Sequence, residues 1–158
     1  MTPSESKFVC DDHCGRLARW LRFLGFDCAH RQDFDDATVL RIALDEARTI
    51  LTRDHTLAEK AMARSIVLLD SADPLDQVRQ VVGAFGLRVS SDGIGTVCTV
   101  CNLITDSVEK DVIEKRLPPY VRATQQEFRE CPQCHRLYWR ATHVMRMLER
   151  LRNAGILP

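Results

Sequence analysis

The sequence predicts an α/β fold over residues 1–90, with a parallel sheet between two layers of helices, and a smaller cysteine-rich unit over residues 91–158. In the first part, short β-branched runs alternate with amphipathic segments, which is the order typical of parallel strands joined by helices. After Val89 the composition changes, because residues 90–95 form a turn-rich linker and two C-x-x-C pairs follow it. These observations predict two units of different architecture.

Four strands and four helices alternate in the first unit. Strands are predicted at residues 7–10, 26–30, 49–52 and 65–69, and helices at residues 15–24, 35–48, 55–63 and 74–85. In the first helix, Leu17 and Leu21 lie on the apolar face, and Arg16, Arg19 and Arg22 on the opposite one. The arginine-bearing face is expected to be solvated or salt-bridged at Arg22.

Two further predictions concern burial. The second helix is expected to turn its apolar face inward, and residues 65–69 to form the clearest buried strand. A last helix is predicted from about Thr142, also with one apolar face. The inward residues are Val39, Leu40, Ala43 and Ala47 in the second helix and Val144, Met147, Leu148 and Leu151 in the last.

The composition is that of a globular protein. Of 158 residues, 45% are hydrophobic, which argues against disorder. The longest aliphatic run, residues 66–69, is too short to cross a membrane, and the first seven residues lack the apolar segment of a signal peptide. We therefore expect a cytoplasmic protein without a membrane partner.

The charge is balanced overall but unevenly distributed. The chain has 22 basic and 22 acidic residues; residues 1–92 hold 12 basic and 15 acidic ones, and residues 93–158 hold 10 and 7. An acidic first part suits cations and a basic second part suits polyanions, although ordinary surface variation would also give this offset.

Four of the seven cysteines have the spacing of a metal site. Cys98 and Cys101 form one C-x-x-C pair, and Cys131 and Cys134 form the other after 29 residues. Two such knuckles make a closed Cys₄ site, so we predict a structural Zn²⁺ ion whose binding stabilises a segment too small for a large core. The alternatives are a redox pair or unrelated cysteines, and His135 is expected to be a surface residue.

The other three cysteines, Cys10, Cys14 and Cys28, lie next to apolar residues. An odd number of cysteines without a secretion signal argues against a disulfide framework. We expect buried, unreactive thiols.

Aspartates follow the predicted strands of the first unit. Asp11 and Asp12 follow the first strand, Asp54 the third, and Asp70 and Asp73 the fourth, while Asp35 and Asp36 begin the second helix. The carboxyl ends of parallel strands share one edge of the sheet, where open α/β folds bind ligands. Clustered carboxylates suit Mg²⁺ or Mn²⁺ and metal-assisted phosphodiester hydrolysis. The alternative is that each aspartate only caps a helix.

The sequence resembles the PIN-like ribonucleases, and most closely the Mut-seven C-terminal RNase domain family, which joins a PIN-like α/β domain to a zinc ribbon. The resemblance is carried by residues 8–11 (Phe-Val-Cys-Asp), 15–22 (Gly-Arg-Leu-Ala-Arg-Trp-Leu-Arg) and 51–54 (Leu-Thr-Arg-Asp), by Asp36 with the Val-Leu pair after it, and by both C-x-x-C pairs.

The resemblance implies a metal-dependent ribonuclease with Asp11, Asp36 and Asp54 as catalytic Mg²⁺ or Mn²⁺ ligands. Asp70 and Asp73 are alternatives for a fourth acid, and Asp12 joins the site or lies beside it. Between Asp35 and Asp36, the distance to the Val-Leu pair favours Asp36.

The expected substrate is single-stranded RNA. Arg16, Arg19, Arg53 and Arg140 are candidate phosphate contacts, since guanidinium groups pair with phosphate oxygens. Tyr138 and Trp139 suit base stacking, although Trp139 would equally pack the ribbon onto the first unit. No histidine has the spacing of a catalytic or metal pair, so none is assigned a role.

Two alternatives remain open. The chain is alternatively a non-catalytic RNA- or protein-binding module, in which the aspartates are caps and the ribbon binds. It is also compatible with the nuclease toxin of a toxin–antitoxin pair, for which the sequence identifies no antitoxin partner.

Overall fold

The computed structural model describes residues 6–61 and 65–158, and its first part is built on four parallel strands in the order β2-β1-β3-β4. The strands are β1 (Lys7–Cys10), β2 (Asp27–Ala29), β3 (Thr49–Thr52) and β4 (Ile66–Leu68). The helices are α1 (Gly15–Phe23), α2 (Asp36–Asp45), α3 (His55–Ala61) and α4 (Pro74–Phe85). The predicted alternation is confirmed, except that residues 62 and 63, expected in α3, lie outside the described residues.

Helices cover both faces of this sheet. Successive side chains of a strand point to opposite faces. Phe8 and Leu51 accordingly pack with α1 and α4, whereas Val9 and Ile50 pack with α2 and α3. Burial on both sides explains why β1 and β3 have few polar residues.

The strand order creates a switch point between β1 and β3. The chain passes from β1 to β2 on one side of β1, and β3 pairs with β1 on the other side. The helix after β1 packs on one face of the sheet and the helix after β3 packs on the other. The crevice between two such connections is where open α/β sheets bind ligands.

Two details of the predicted elements are wrong. Helix α2 ends at Asp45 rather than near Arg48, because Ala47 has a left-handed backbone with φ of 51° and is exposed instead of directed inward. Strand β4 is the edge strand, so its residues are only half-buried, whereas the sequence predicts the clearest buried strand there.

The second part contains a three-stranded antiparallel sheet, with strands β5 (Asp106–Val108), β6 (Phe128–Glu130) and β7 (Leu137–Tyr138). Two short helices, α5 (Lys110–Ile113) and α6 (Pro119–Thr124), lie between β5 and β6. Only Ile113, Leu117 and Phe128 form its buried apolar cluster. A core of this size needs another source of stability.

The final helix, α7 (Thr142–Asn153), begins where the sequence predicts. Its buried residues Val144, Leu148 and Leu151 belong to the same apolar cluster as α1 and α4. The linker is also held in place, because a Cβ added to Gly25 after α1 would lie only 2.6 Å from the carbonyl oxygen of Gly93. Residues from both predicted domains therefore share one core.

No helix among the described residues is both long enough and apolar enough to cross a bilayer.

Candidate functional site

Asp11 lies directly after β1, at the switch point, and is a buried carboxylate with 4% of its surface exposed. Its side chain accepts a hydrogen bond from the Thr52 hydroxyl at the end of β3 and another, of 3.1 Å, from the backbone N–H of His13. The two donors fix the orientation of the carboxylate. A buried, oriented carboxylate is the type of oxygen ligand that a hard divalent cation requires.

Asp54 follows β3 and is connected to Asp11 through Thr52. The Asp54 backbone N–H donates to Thr52 Oγ1 at 2.9 Å, while the same hydroxyl donates to Asp11. The Asp54 carboxylate is exposed and accepts from the backbone N–H groups of Thr56 and Leu57 at 2.7 and 3.3 Å. These hydrogen bonds lower the pKa of Asp54, so the side chain is ionised at neutral pH.

Asp36 lies in the first turn of α2 and forms an ion pair with Lys60 of α3, with 2.8 Å between Oδ2 and Nζ. This contact raises the pKa of Lys60, to which the charge of Asp54 also contributes. Lys60 is thus a cation close to both exposed aspartates.

The structure therefore brings the three predicted catalytic residues to one edge of the sheet, but not into one compact cluster. Among the described residues, the acidic group whose ligand atoms lie within 4.8 Å of one another consists of Asp11, Asp12 and His13. Asp36 and Asp54 are outside that group. Asp54 is connected to Asp11 through Thr52, and Asp36 is paired with Lys60; no contact between the described residues links Asp36 to Asp11.

His13 and Asp12 form the exposed rim beside Asp11. His13 Nδ1 lies 2.6 Å from Asp12 Oδ1, and both side chains face solvent. The sequence assigns His13 no role, yet its position next to Asp11 makes it a candidate ligand. The spacing of the histidines does not predict this position, since a single histidine after two aspartates matches no known metal-binding motif.

Asp35 and Asp73 have capping contacts, whereas Asp70 is exposed and donates its backbone N–H to Gln80 at 3.0 Å. Asp35 accepts from the backbone N–H of Thr38 at 2.8 Å and caps α2, so the Asp36 carboxylate is not used as the cap. Asp73 accepts from the N–H groups of Leu75 and Asp76 and begins α4. Helix N-termini favour such carboxylates irrespective of function.

The four cysteines of the two knuckles meet in space, and their sulfur atoms all lie within 4.8 Å of one another. The distance between Cys98 Sγ and Cys134 Sγ is 3.7 Å. A tetrahedral Zn²⁺ site with Zn–S bonds of about 2.3 Å requires sulfur atoms about 3.8 Å apart. The geometry fits a zinc ion held by Cys98, Cys101, Cys131 and Cys134.

The two knuckles repeat one backbone conformation. Asn102 and His135, each directly after the second cysteine of its pair, have left-handed φ angles of 59° and 58°. The N–H of each donates to the carbonyl of the first cysteine in its knuckle, at 2.9 and 3.0 Å. This turn points both thiols of a pair at one position. The His135 ring instead lies 3.2 Å from Glu130, outside the four-sulfur group.

The electrostatics of the sulfur cluster also favour a cation. Burial raises the pKa of Cys98, but hydrogen bonds from the Tyr138 hydroxyl at 3.1 Å and the Cys101 backbone outweigh burial and lower this pKa to about 6. For Cys101, burial and the neighbouring thiols raise the pKa to about 12. Four thiolates at this distance repel one another unless a cation lies between them.

The three other cysteines are buried free thiols, as predicted. Burial raises the pKa of Cys14 to about 12, with a further contribution from the charge of Asp11. Burial likewise raises the pKa of Cys10, assisted by its contact with Cys28. Neutral buried thiols of this kind are weak nucleophiles.

Arg22 contradicts the expectation of a solvated or salt-bridged side chain. Only 5% of Arg22 is exposed, and its guanidinium donates to the carbonyl oxygens of Cys28 and His30 and to those of Thr99 and Val100 in the first knuckle. The helical pattern could not reveal this role, because all four acceptors are backbone carbonyls outside the helix and two of them lie 77 and 78 residues away.

The predicted RNA contacts occupy different surfaces. Arg16 and Arg19 are exposed on α1, and Arg53 is exposed beside Asp54. Arg140 follows β7 and donates to the carbonyl of Ser91 at 3.4 Å, so it lies against the linker. Three of the four are thus near the acidic edge or on the helix that leads from it.

The family model described as Mut7-C RNAse domain matches residues 6–151. The chain belongs to this family. The match includes the acidic edge, both knuckles and nearly all of α7, so the resemblance expected from the sequence is confirmed over almost the whole chain. No curated protein and no solved structure gave a significant match.

For this Mut7-C RNAse domain, the sequence predicts the aspartates and the cysteines but not Thr52 and Tyr138, whose hydroxyl groups donate to Asp11 and to Cys98. Thr52 belongs to the Leu-Thr-Arg-Asp motif, and its position two residues before Asp54 is the signal that could have found it. Tyr138 has no such signal, because its hydrogen bond to Cys98 spans 40 residues.

Proposed function

We propose that this Mut7-C domain is a metal-dependent ribonuclease that hydrolyses phosphodiester bonds of single-stranded RNA on a PIN-like α/β unit. The proposal depends above all on Asp11, a buried carboxylate held by Thr52 at the switch point of a parallel sheet. The family description supports RNA as the substrate and hydrolysis as the reaction.

The residues at this edge fit a hard divalent cation, since they offer carboxylate oxygens of different exposure and leave room for water. We propose Asp11, Asp36 and Asp54 as the ligands of Mg²⁺ or Mn²⁺. A bound ion would supply an activated water and stabilise the departing oxygen. Asp36 is paired with Lys60. If Asp36 held the ion instead, the Lys60 ammonium would be available to a phosphate oxygen.

Neighbouring residues of the chain position the proposed metal ligands and the RNA. Thr52 orients Asp11, and α3 keeps the carboxylate of Asp54 ionised. Arg16, Arg19 and Arg53 are proposed to bind phosphates on either side of the scissile bond.

The test is cleavage of a 5′-labelled single-stranded RNA in Mg²⁺ or Mn²⁺ by the wild type and by Asp11→Asn and Asp54→Asn. We expect each variant to lose at least about 100-fold in rate, since removal of one charge-stabilising group at a reacting phosphate costs that much. Asp45→Asn at the opposite end of α2 is the matched control and should cleave like the wild type. Equal rates in all four proteins, or no cleavage by the wild type, would rule the proposal out.

A second candidate function, a non-catalytic RNA-binding module, is favoured by the contacts of Asp36 and Asp54, which are those of an ion pair and a helix cap. It requires RNA binding that survives Asp11→Asn and needs no added divalent metal. The cleavage experiment distinguishes the two functions.

We further propose that the Cys₄ cluster holds one structural Zn²⁺ in a ribbon formed by residues 91–158. Metal analysis of protein purified without chelator should find about one zinc per chain. Cys131→Ser should lose the metal, while Cys28→Ala, which removes a buried thiol outside the cluster, should retain it. The proposed compartment is the cytoplasm, where these thiolates stay reduced and able to bind zinc.

A further inference from the structure

A groove of about 540 Å³ lies between α1, the segment around β7, and α7. Four arginines line it, two from α1, one from the turn before β7 and one from α7: Arg16, Arg19, Arg136 and Arg150. We call it the arginine groove. Neither C-x-x-C spacing nor helix periodicity predicts it, because its walls come from three separate elements.

The charge of the arginine groove is unusual for this chain. The protein as a whole has equal numbers of acidic and basic residues. Yet the groove's described lining includes no aspartate or glutamate beside its four arginines and His143. The neighbouring cleft on the linker side, by contrast, contains Asp92, Glu109 and Glu127. A carboxylate-free set of guanidinium groups attracts a polyanion and pairs with phosphate oxygens.

Aromatic rings form the other part of the groove wall. Both tryptophans of the chain, Trp20 and Trp139, line it and are only half-buried. The guanidinium carbon of Arg150 lies 5.6 Å from the Trp20 ring centroid, which holds that charge at the groove surface. Rings next to phosphate-binding arginines are the combination that binds unpaired bases together with their backbone.

The arginine groove continues toward the acidic edge. Arg16, Arg19 and Thr99 line both this groove and the open cleft that contains Asp12 and His13. A nucleic-acid strand whose phosphates follow α1 would therefore extend from the second knuckle to the residues beside Asp11.

We propose that the arginine groove binds the single-stranded RNA next to its cleavage position, with phosphates on the four arginines and a base against the exposed part of Trp20 or Trp139. The choice of ligand rests on the proposed ribonuclease function. A single strand is favoured over a duplex, because bases paired in a helix cannot reach aromatic rings inside a groove.

The test is binding of a fluorescent single-stranded RNA of about 12 nucleotides, a length typical of single-strand sites. Anisotropy gives Kd in the Asp11→Asn background, so that the RNA remains intact, and also for wild-type protein without added Mg²⁺ or Mn²⁺. The double variant Arg136→Gln/Arg150→Gln should raise Kd about tenfold, and the slope of log K against log salt should fall by about 1.4, since each single-strand phosphate contact contributes about 0.7. RNA should also quench tryptophan fluorescence.

The matched control is Arg146→Gln/Arg152→Gln. Both arginines are exposed on α7 and lie outside the groove, so the same two charges are removed and Kd should stay near the wild-type value. An unchanged Kd and salt slope in the folded double variant would overturn the assignment. So would tighter binding of duplex RNA, or equal binding of polyglutamate, which would make the groove a site for acidic peptides.

Failure of the two proposals can be told apart. If the wild type does not cleave but the double variant loses RNA binding, the ribonuclease proposal fails and the groove remains an RNA site. If the wild type cleaves and the double variant binds and cleaves normally, the groove assignment alone fails.

Discussion

At the scale of single residues, one hydroxyl connects the two halves of the acidic edge. Thr52 is fully buried, donates to the Asp11 carboxylate, and accepts from the Asp54 backbone. Among the described residues, no other side chain makes hydrogen bonds to both Asp11 and Asp54. Residues that orient metal ligands in this way typically change metal affinity or activity by 10- to 100-fold when removed.

Thr52→Val should therefore raise the Mn²⁺ concentration needed for half-maximal RNA cleavage by about 10- to 100-fold. Valine has nearly the same shape, so packing is preserved while Asp11 loses a donor and the Asp54 N–H loses an acceptor. Thr52→Ser keeps the hydroxyl and should behave like the wild type. If titration of Mn²⁺ gives the same midpoint for the valine variant, Thr52 has only a structural role.

His30 makes the stability of the fold depend on pH. Burial lowers its pKa below the ordinary 6.5; the carbonyl and charge of Asp12 and the charge of Asp11 oppose this shift, and Arg22 adds to it. The folded state thus favours neutral imidazole, and unfolding takes up a proton once the pH falls below 6.5. Stability is lost from there down to the lowered folded pKa, and no more is lost below it.

We expect the free energy of unfolding to decline as the pH is lowered from 7 through this window, and the decline to be smaller in His30→Gln. Urea unfolding at a series of pH values measures it. His143→Gln, at an exposed position on α7, is the control and should keep the wild-type slope. A His30→Gln slope equal to that of the wild type would contradict the assignment.

The residue scale also shows what the sequence could predict of the site. Asp11 and Asp54 follow apolar runs that had to be strands, so their common edge follows from parallel pairing alone. The contact between the Thr52 hydroxyl and Asp11 does not follow, because the two residues meet only once β1 and β3 are paired. The prediction for Arg22 is wrong for a related reason: a charged side chain on a helix is normally solvated, and two of its four carbonyl acceptors come from the other unit.

At the scale of elements, α1 and the first knuckle are bound to each other. Arg22 of α1 donates to two knuckle carbonyls, while the Asn102 side chain accepts from the Cys28 N–H at 2.9 Å and donates to Asp27 at 2.6 Å. Asn102 is also the residue whose left-handed backbone forms the knuckle turn. The cluster of four cysteines is thereby attached to β2 and α1.

Arg22→Met should lower the free energy of unfolding by about 2 kcal/mol, because several buried carbonyls lose a charged donor. Arg19→Met on the exposed face of the same helix should change it by less than about 0.5 kcal/mol. Chemical denaturation measures both. A loss in Arg22→Met as small as that of the control would show that water replaces the guanidinium without cost.

The sequence predicts the helices and strands of the α/β unit better than it predicts the residues at which they end. Alternating apolar runs and amphipathic periods fixed all eight elements of the α/β unit, since burial of both sheet faces leaves a strong pattern. The end of α2 was missed, because alanine rarely adopts a left-handed backbone and so gave no stop signal at Ala47. The prediction that β4 is the most buried strand is wrong because apolar composition does not distinguish an edge strand from a central strand of the sheet.

At the scale of the whole molecule, the two parts depend on each other for stability. Helix α7 supplies Leu148 and Leu151 to the core that contains α1 and α4. The first knuckle is attached to α1 through Arg22. The small apolar cluster of the second sheet cannot hold residues 96–140 in place without help. We infer that zinc stabilises the α/β unit as well as the ribbon.

Removal of zinc with a chelator should therefore lower the melting temperature of the entire chain in a single transition. A ligand at 100 times its Kd contributes about 2.7 kcal/mol, which for a chain of this length corresponds to about 5–10 °C. Far-UV circular dichroism follows the helices, most of which belong to the α/β unit. The fluorescence of a Trp20→Phe variant, which leaves Trp139 as the one tryptophan, follows the ribbon. The two signals should shift together and recover when zinc is restored. If the fluorescence transition moves while the helical transition stays in place, the ribbon unfolds independently, and the contacts of Arg22 and Asn102 do not couple the parts.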